Sequence, residues 1–221
     1  MGWKYKAVIF DFDMTLADSQ RIIVRLLNET AKNFGYEVKQ EDYVSKIIGN
    51  THEKMLAYVT GEKDEKKILE MREYYRMLCR LYMPENTTFF PNVDKALERI
   101  YEDGSKLAVL SLKLTDLLEK SLTKYDLRKY FDVVNGCEAV SSQKPDPEGV
   151  NNILKVMNIN SRNVLYVGDS VVDQETAYNA GVDFCAMLMG KTKKSSFDPQ
   201  KVSVFCNSWK DFIDKYQNDE I

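Results

Sequence analysis

The run Tyr5–Phe10, apolar except at Lys6 and cut off by Asp11-Phe12-Asp13, constrains the fold more than any other segment. Its aromatic and β-branched residues favour a strand, and the polar cluster ends it. Continuous apolar runs recur at Leu107–Leu110, Val164–Val167 and Phe184–Met187, with shorter or weaker ones at Val133–Val134 and Val202–Phe205. Runs without polar alternation are buried on both faces, which points to a parallel sheet. Between them, apolar residues fall at helical spacing over Val93–Tyr101, Leu114–Tyr125, Glu148–Met157 and Gln174–Ala180, with Gly104 and Gly181 as stops. Strand–helix alternation from about residue 89 onward predicts an α/β fold with a doubly wound parallel sheet.

The stretch 17–83 breaks that rhythm. It carries helical patterns only, built on Ile22, Ile23, Leu26 and Leu27, then Tyr43 to Ile48, Met55 to Val59, and Ile68 to Tyr82, punctuated by Gly35, Gly49 and Gly61. The expected organisation is a core of residues 1–16 and 84–221, with a small all-helical domain, 17–83, inserted after the first strand. A length of 221 residues suits one large domain with such an insertion.

Composition removes several classes of function. Lys+Arg number 31 against 34 Asp+Glu, a net charge of −3, so a nucleic-acid partner is not expected. The longest apolar run, Phe184–Met189, is far short of the roughly 20 residues that span a bilayer. Lys4 and Lys6 precede too short an apolar run for a signal peptide, and Lys6 stands where a myristoylation motif starting at Met1-Gly2 wants Ser or Thr. Cys79, Cys137, Cys185 and Cys206 form no CxxC pair, so reduced thiols and a cytoplasmic location are expected.

Ligands of a doubly wound sheet bind at the carboxyl ends of its strands. The polar residues there are Asp11 and Asp13 after the first strand, Ser111 after Leu110, Lys144 after Val134, and Asp169 with Asp173 after Val167. Carboxylate oxygens suit a hard cation, and Ser and Lys suit phosphate oxygens. On an extended chain Asp11 and Asp13 project to the same side, so a cation neutralises them or one is held protonated. A metal-neutralised Asp11 can act as nucleophile with Asp13 moving the leaving-group proton; the competing reading is a pair of aspartates that merely cap a turn.

Asp11-Phe12-Asp13-Met14-Thr15-Leu16 resembles the DxDxT signature of the haloacid-dehalogenase-like phosphohydrolases. Ser111, Lys144 (in Lys144-Pro145-Asp146) and Gly168-Asp169-Ser170-Val171-Val172-Asp173 are similar to the family's second, third and fourth motifs, in the family's order. The resemblance covers nearly the whole chain. It implies that Asp11 becomes an aspartyl phosphate and that Asp13 is general acid, then general base. It further implies that Ser111 and Lys144 grip the phosphoryl group, and that Thr15 braces the loop. Mg²⁺ would be held by Asp11, the main-chain carbonyl of Asp13, and Asp169, with Asp173 as ligand or support. Two positions depart from the family's pattern: Met14 replaces a common Gly, making a left-handed residue there unexpected, and Leu112 replaces a common Asn.

Asp13 favours phosphate-ester hydrolysis over dehalogenation or phosphonate cleavage, since halide needs no proton on leaving. Ile23 stands where β-phosphoglucomutase-like relatives carry a cap histidine. The insert resembles the family's C1 helical cap, and with Phe90-Pro91-Asn92-Val93 and Tyr130-Phe131-Asp132 it looks like the phosphoglycolate-phosphatase-like subgroup. A small phosphorylated metabolite is therefore the expected partner, acted on by a monomer or homodimer. The alternatives are a pyrophosphatase or sugar-phosphate mutase of the same superfamily, or a non-enzymatic phosphoacceptor or binding module. Gly49, Asn50, Thr51 and His52 form the cap loop expected to face substrate, with Arg21 and Arg25 as further polar candidates. The run Glu62–Lys67, the basic Lys191–Lys194 and the Tyr- and Met-rich 71–83 are read as a solvated helix start, a solvated loop and cap core.

Overall fold

The computed structural model describes residues 4–221, so Met1-Gly2 lies outside the described residues. The chain divides into two compact units, one containing residues up to Ala17 together with Phe89–Ile221, the other Asp18–Thr88.

The first unit is built on a six-stranded sheet. Its strands are Ala7–Phe10 (β1), Lys106–Leu110 (β4), Val133–Asn135 (β5), Val164–Gly168 (β6), Asp183–Met187 (β7) and Val204–Cys206 (β8), in the order β5-β4-β1-β6-β7-β8. Each neighbouring pair runs parallel, as the continuous apolar runs predict. Ala17–Asp18 (β2) and Thr88–Phe89 (β3) form a separate two-stranded sheet. The strand order reverses across β1, whose neighbours are β4 and β6, and a crevice at the strand ends belongs at such a switch point.

Helices cover both faces. Val93–Glu102 (α5), Thr115–Lys124 (α6) and Trp209–Gln217 (α9) bury Leu97, Leu118, Trp209 and Phe212 against Val8, Phe10, Val109 and Val167. On the other face, Glu148–Met157 (α7) and Val171–Ala180 (α8) bury Val150, Ile153 and Ala177 against Ala7, Ile9, Ala108 and Tyr166. Successive residues of β1 thus alternate between two cores, which is why no position in it tolerates polarity. Helix α8 starts three residues before the expected Gln174. Its first turn has no apolar periodicity; a capping box between Ser170 and Asp173 starts it instead.

The second unit contains Gln20–Asn33 (α1), Glu41–Val44 (α2), His52–Thr60 (α3) and Glu65–Asn86 (α4), of which α1, α3 and α4 pack on one another. Met71, Tyr75, Leu78, Cys79 and Met83 of α4 are buried, while Met77 and Leu81 are exposed. The expected boundary at Met83 falls inside this helix. Pro84 removes one hydrogen bond near its end, and Asn86 Nδ2 donates to the Tyr82 carbonyl at 2.8 Å. The four cysteines are buried and form no disulfide among the described residues, and no helix among them is long and apolar enough to cross a membrane.

Candidate active site

The alternation along β1 carries past its end: Phe10 and Phe12 point into the α5/α6/α9 core, so Asp11 follows Ile9 toward the opposite side. There it meets Lys144, whose Nζ lies 2.7 Å from Asp11 Oδ1 and 2.7 Å from Asp173 Oδ1. Lys144 belongs to the loop between β5 and α7, fastened by Gln143 Nε2 to the Cys137 carbonyl at 2.6 Å and by Asn179 Nδ2 to the Pro145 carbonyl at 3.0 Å. Lys144 and Ser111 line one small cleft. Ser111 itself continues β4, its N–H donating to the Asn135 carbonyl at 3.0 Å.

Asp11, Asp169 and Asp173 are buried and each offers an oxygen, all within 4.8 Å of one another. Oxygen donors carrying excess negative charge fit a hard divalent cation. Burial, with the charge of Asp173, pushes the Asp11 carboxyl up to about 7 despite the opposing Lys144 ammonium. Burial, then the charges of Asp173 and Asp11, also raises Asp169 well above the usual carboxylate range. For Lys144, burial disfavours the ammonium, but Asp11 and Asp173 outweigh it and hold the group well above its ordinary value. One ammonium among three carboxylates leaves an excess of negative charge when all are ionised, and a divalent cation would offset it.

The acids are not equivalent. Asp173 Oδ1 accepts from Lys144 and, at 3.2 Å, from Tyr166 OH; its Oδ2 accepts from Ser170 Oγ at 2.6 Å and Ser170 N at 3.2 Å. Both oxygens therefore spend their lone pairs on protein donors. Asp169 carries fewer such bonds: among the described residues its Oδ1 accepts from Thr15 Oγ1 at 3.3 Å. The Thr15 carbonyl in turn accepts from Trp209 Nε1 at 2.9 Å, which ties the loop to α9. Asp13 is paired with a second lysine, Lys113, at 2.9 Å; that lysine is buried, its ammonium 5.7 Å from the Phe12 ring centre.

Between the two aspartates and Thr15 the backbone departs from expectation. Met14 is left-handed, with φ 65°, although its side chain made that unexpected. The chain must turn sharply here: Met14 N donates to the Ala17 carbonyl at 2.7 Å, and Leu16 N and Ala17 N both donate to Phe12 O. Those bonds and the burial of the Met14 side chain offset a left-handed cost of about 1–2 kcal/mol.

The predicted cap residues lie in the other unit. Thr51 caps α3, accepting from Lys54 N at 3.4 Å, and Asn50 Nδ2 donates to the Ile47 carbonyl at 3.1 Å. Gly49 is left-handed at φ 91°. His52 is buried against Tyr75, with ring centres 5.2 Å apart, and Arg76 Nε donates to its Nδ1 at 3.5 Å. Arg25 stacks over Tyr82 and pairs with Glu29.

Residues 8–187 match a family profile described as haloacid dehalogenase-like hydrolase. The chain belongs to that family. This hydrolase is 33% identical over 198 residues to a phosphoglycolate phosphatase from Aquifex aeolicus, covering 88% of this chain and 90% of that protein. It is 28% identical over 181 residues to pyrophosphatase PpaX of Listeria innocua, covering 81% and 82% of the two chains. A solved structure from Bacteroides fragilis, described as haloacid dehalogenase-like, aligns with a TM-score of 0.89 at 32% identity, over 93% of this chain and 98% of that one. The family resemblance and the α/β fold class read from the sequence therefore hold, and the protein is an enzyme.

The sequence alone assigns no role to Lys113 or Tyr166, nor to Ser170, which stands inside the fourth motif. Lys113 lies two residues beyond the end-of-strand serine, in a loop where no strand or helix periodicity marks it. Tyr166 lies inside an apolar strand, where its hydroxyl gives no signal; only the parity it shares with Asp11 across β1 and β6 could have suggested the link.

Proposed function

We propose that this hydrolase is a Mg²⁺-dependent phosphatase that cleaves a small phosphate monoester through an aspartyl phosphate on Asp11. The carrying observation is the buried Asp11 carboxylate, 2.7 Å from the Lys144 ammonium and grouped with Asp169 and Asp173 at the ends of β1 and β6. Asp11, Asp169 and the Asp13 carbonyl would hold the cation, whose contribution is to neutralise charge on the carboxylates and on the phosphoryl oxygens. Asp173, with both oxygens engaged, supports the site by holding Lys144 and the start of α8 in place.

Asp11 attacks phosphorus opposite the leaving oxygen, forming a P–O bond to its carboxylate as the ester bond breaks. Asp13 gives its proton to the departing alkoxide, then takes one from the water that cleaves the aspartyl phosphate, releasing inorganic phosphate and restoring Asp11. Lys144 and Ser111, on one cleft, donate to the phosphoryl oxygens as negative charge shifts onto them. Lys113 holds the Asp13 carboxyl at the strand end, where it trades protons.

For substrate, phosphoglycolate is the first candidate, supported by the name of the Aquifex relative, and inorganic pyrophosphate is the second, supported by the PpaX relative. In this reading the loop Gly49–His52 contributes to the choice among substrates. Phosphate release should be measured across a panel of monoesters and pyrophosphate, with Mg²⁺ and with EDTA. Equal rates in EDTA would sink the metal dependence. Pyrophosphate as the dominant substrate would overturn the monoesterase reading while leaving the Asp11 chemistry intact.

A further inference from the structure

Gly190 follows β7 in a loop that passes over Asp169. A Cβ built on Gly190 would sit 2.1 Å from Asp169 Oδ2, 3.0 Å from its Cγ and 3.3 Å from its Cβ. Its backbone is not left-handed, so space rather than conformation demands glycine here. The loop's approach is anchored at its start, where Leu188 N donates to the Cys206 carbonyl at 2.8 Å. Asp169 is thus confined on both sides, with Thr15 Oγ1 on Oδ1 and the Gly190 main chain against Oδ2.

We propose that Gly190 is a positioning residue for the divalent cation, its bare backbone fixing the Asp169 carboxylate in the orientation that binds metal. The proposal rests on the cation-dependent reading of the site given above. Gly168 is crowded in a different way. A Cβ at Gly168 would meet Asp173 Cβ at 2.5 Å, so α8 itself would have to move. At Gly190 the nearest atom is the tip of a side chain that can rotate away. A methyl group there should therefore leave the fold almost untouched and disturb the ligand.

The test is calorimetric titration of Mg²⁺ and Mn²⁺ into metal-stripped parent, Gly190→Ala, Asp169→Ala and Asp169→Ala/Gly190→Ala proteins, alongside melting curves in EDTA. Gly190→Ala should melt within about 2 °C of the parent, as expected of a substitution the fold absorbs. Its Kd for Mg²⁺ should rise about 10- to 100-fold, the range found when the support of a metal ligand is lost. In the Asp169→Ala background, with no carboxylate to displace, adding Gly190→Ala should change the residual Mn²⁺ affinity less than about twofold, as for a site acting through one partner. An unchanged Mg²⁺ Kd in Gly190→Ala overturns the inference. So does a large fall in its metal-free melting temperature or failure to fold, because the clash would then not be confined to Asp169. An equal loss in the Asp169→Ala background overturns it too. A parent protein that binds neither cation would instead refute the metal-dependent reading on which the inference rests.

Discussion

Lys144→Met tests whether the ammonium is the electrostatic keystone of the metal-free site. Methionine keeps the length and apolar stem but removes the charge shared by Asp11 and Asp173, each 2.7 Å away; the three side chains are 6%, 9% and 1% exposed. Removing one partner of a buried ion pair costs about 3–5 kcal/mol, because the remaining charges stay desolvated. At about 2–4 °C per kcal/mol for a chain of this size, the metal-free melting temperature should fall by roughly 6–20 °C at pH 8. The dependence on pH has a definite sign. Burial already raises Asp11 to about 7 and Asp169 well above the ordinary range, so ionising them opposes folding. Their stabilising contribution is present below the unfolded carboxylate pKa, about 4, and is lost as pH rises through the folded value. Without Lys144 that loss deepens, so the variant's deficit should be greatest at pH 8 and shrink toward pH 5 as the carboxylates take up protons. Circular-dichroism melts of both proteins in EDTA at the two pH values measure it. A deficit below about 1 kcal/mol at pH 8, or one equal at both pH values, would refute the reasoning.

Three further outcomes follow from the same geometry. Asp169→Asn removes a charge that burial disfavours, so in EDTA at pH 8 it should melt no lower than the parent, while losing the rise in melting temperature that Mg²⁺ gives the parent. Gly168→Ala forces a Cβ to within 2.5 Å of Asp173 Cβ and should cost about 1–3 kcal/mol by overpacking, read as a lower metal-free melting temperature. Asp11→Asn should abolish the phosphoenzyme trapped by acid quench, whereas Asp13→Asn should slow an alkyl phosphate far more than p-nitrophenyl phosphate, whose leaving group needs no proton; equal slowing would remove Asp13 from its acid role.

The strands at Leu107–Leu110, Val164–Val167 and Phe184–Met187 were legible because burial on both faces leaves an unbroken apolar run. The start of α8 was not, because a capping box leaves no apolar period. Met14 reads against a left-handed turn by residue preference alone, yet hydrogen bonds from residues 14, 16 and 17 impose one. The strand-end acids, Ser111 and Lys144 could be collected from the sequence because a parallel sheet delivers its strand ends to one side whatever the loops between them do.

What the sequence determined by itself is therefore the strand-end acids, Ser111, Lys144 and the end of the sheet that carries them, since these follow from local patterning and parallel topology. Which group pairs with which was decided only by tertiary structure. Lys144 and Asp11 are 133 positions apart, Tyr166 reaches the site from inside a hydrophobic strand, and Lys113 finds Asp13 across neighbouring strand ends. The need for glycine at 190 is of the same kind, because it arises from a backbone passing over Asp169, 21 residues earlier in the chain. Distances of closest approach depend on how separate segments pack, and no periodicity or residue preference along the chain encodes them.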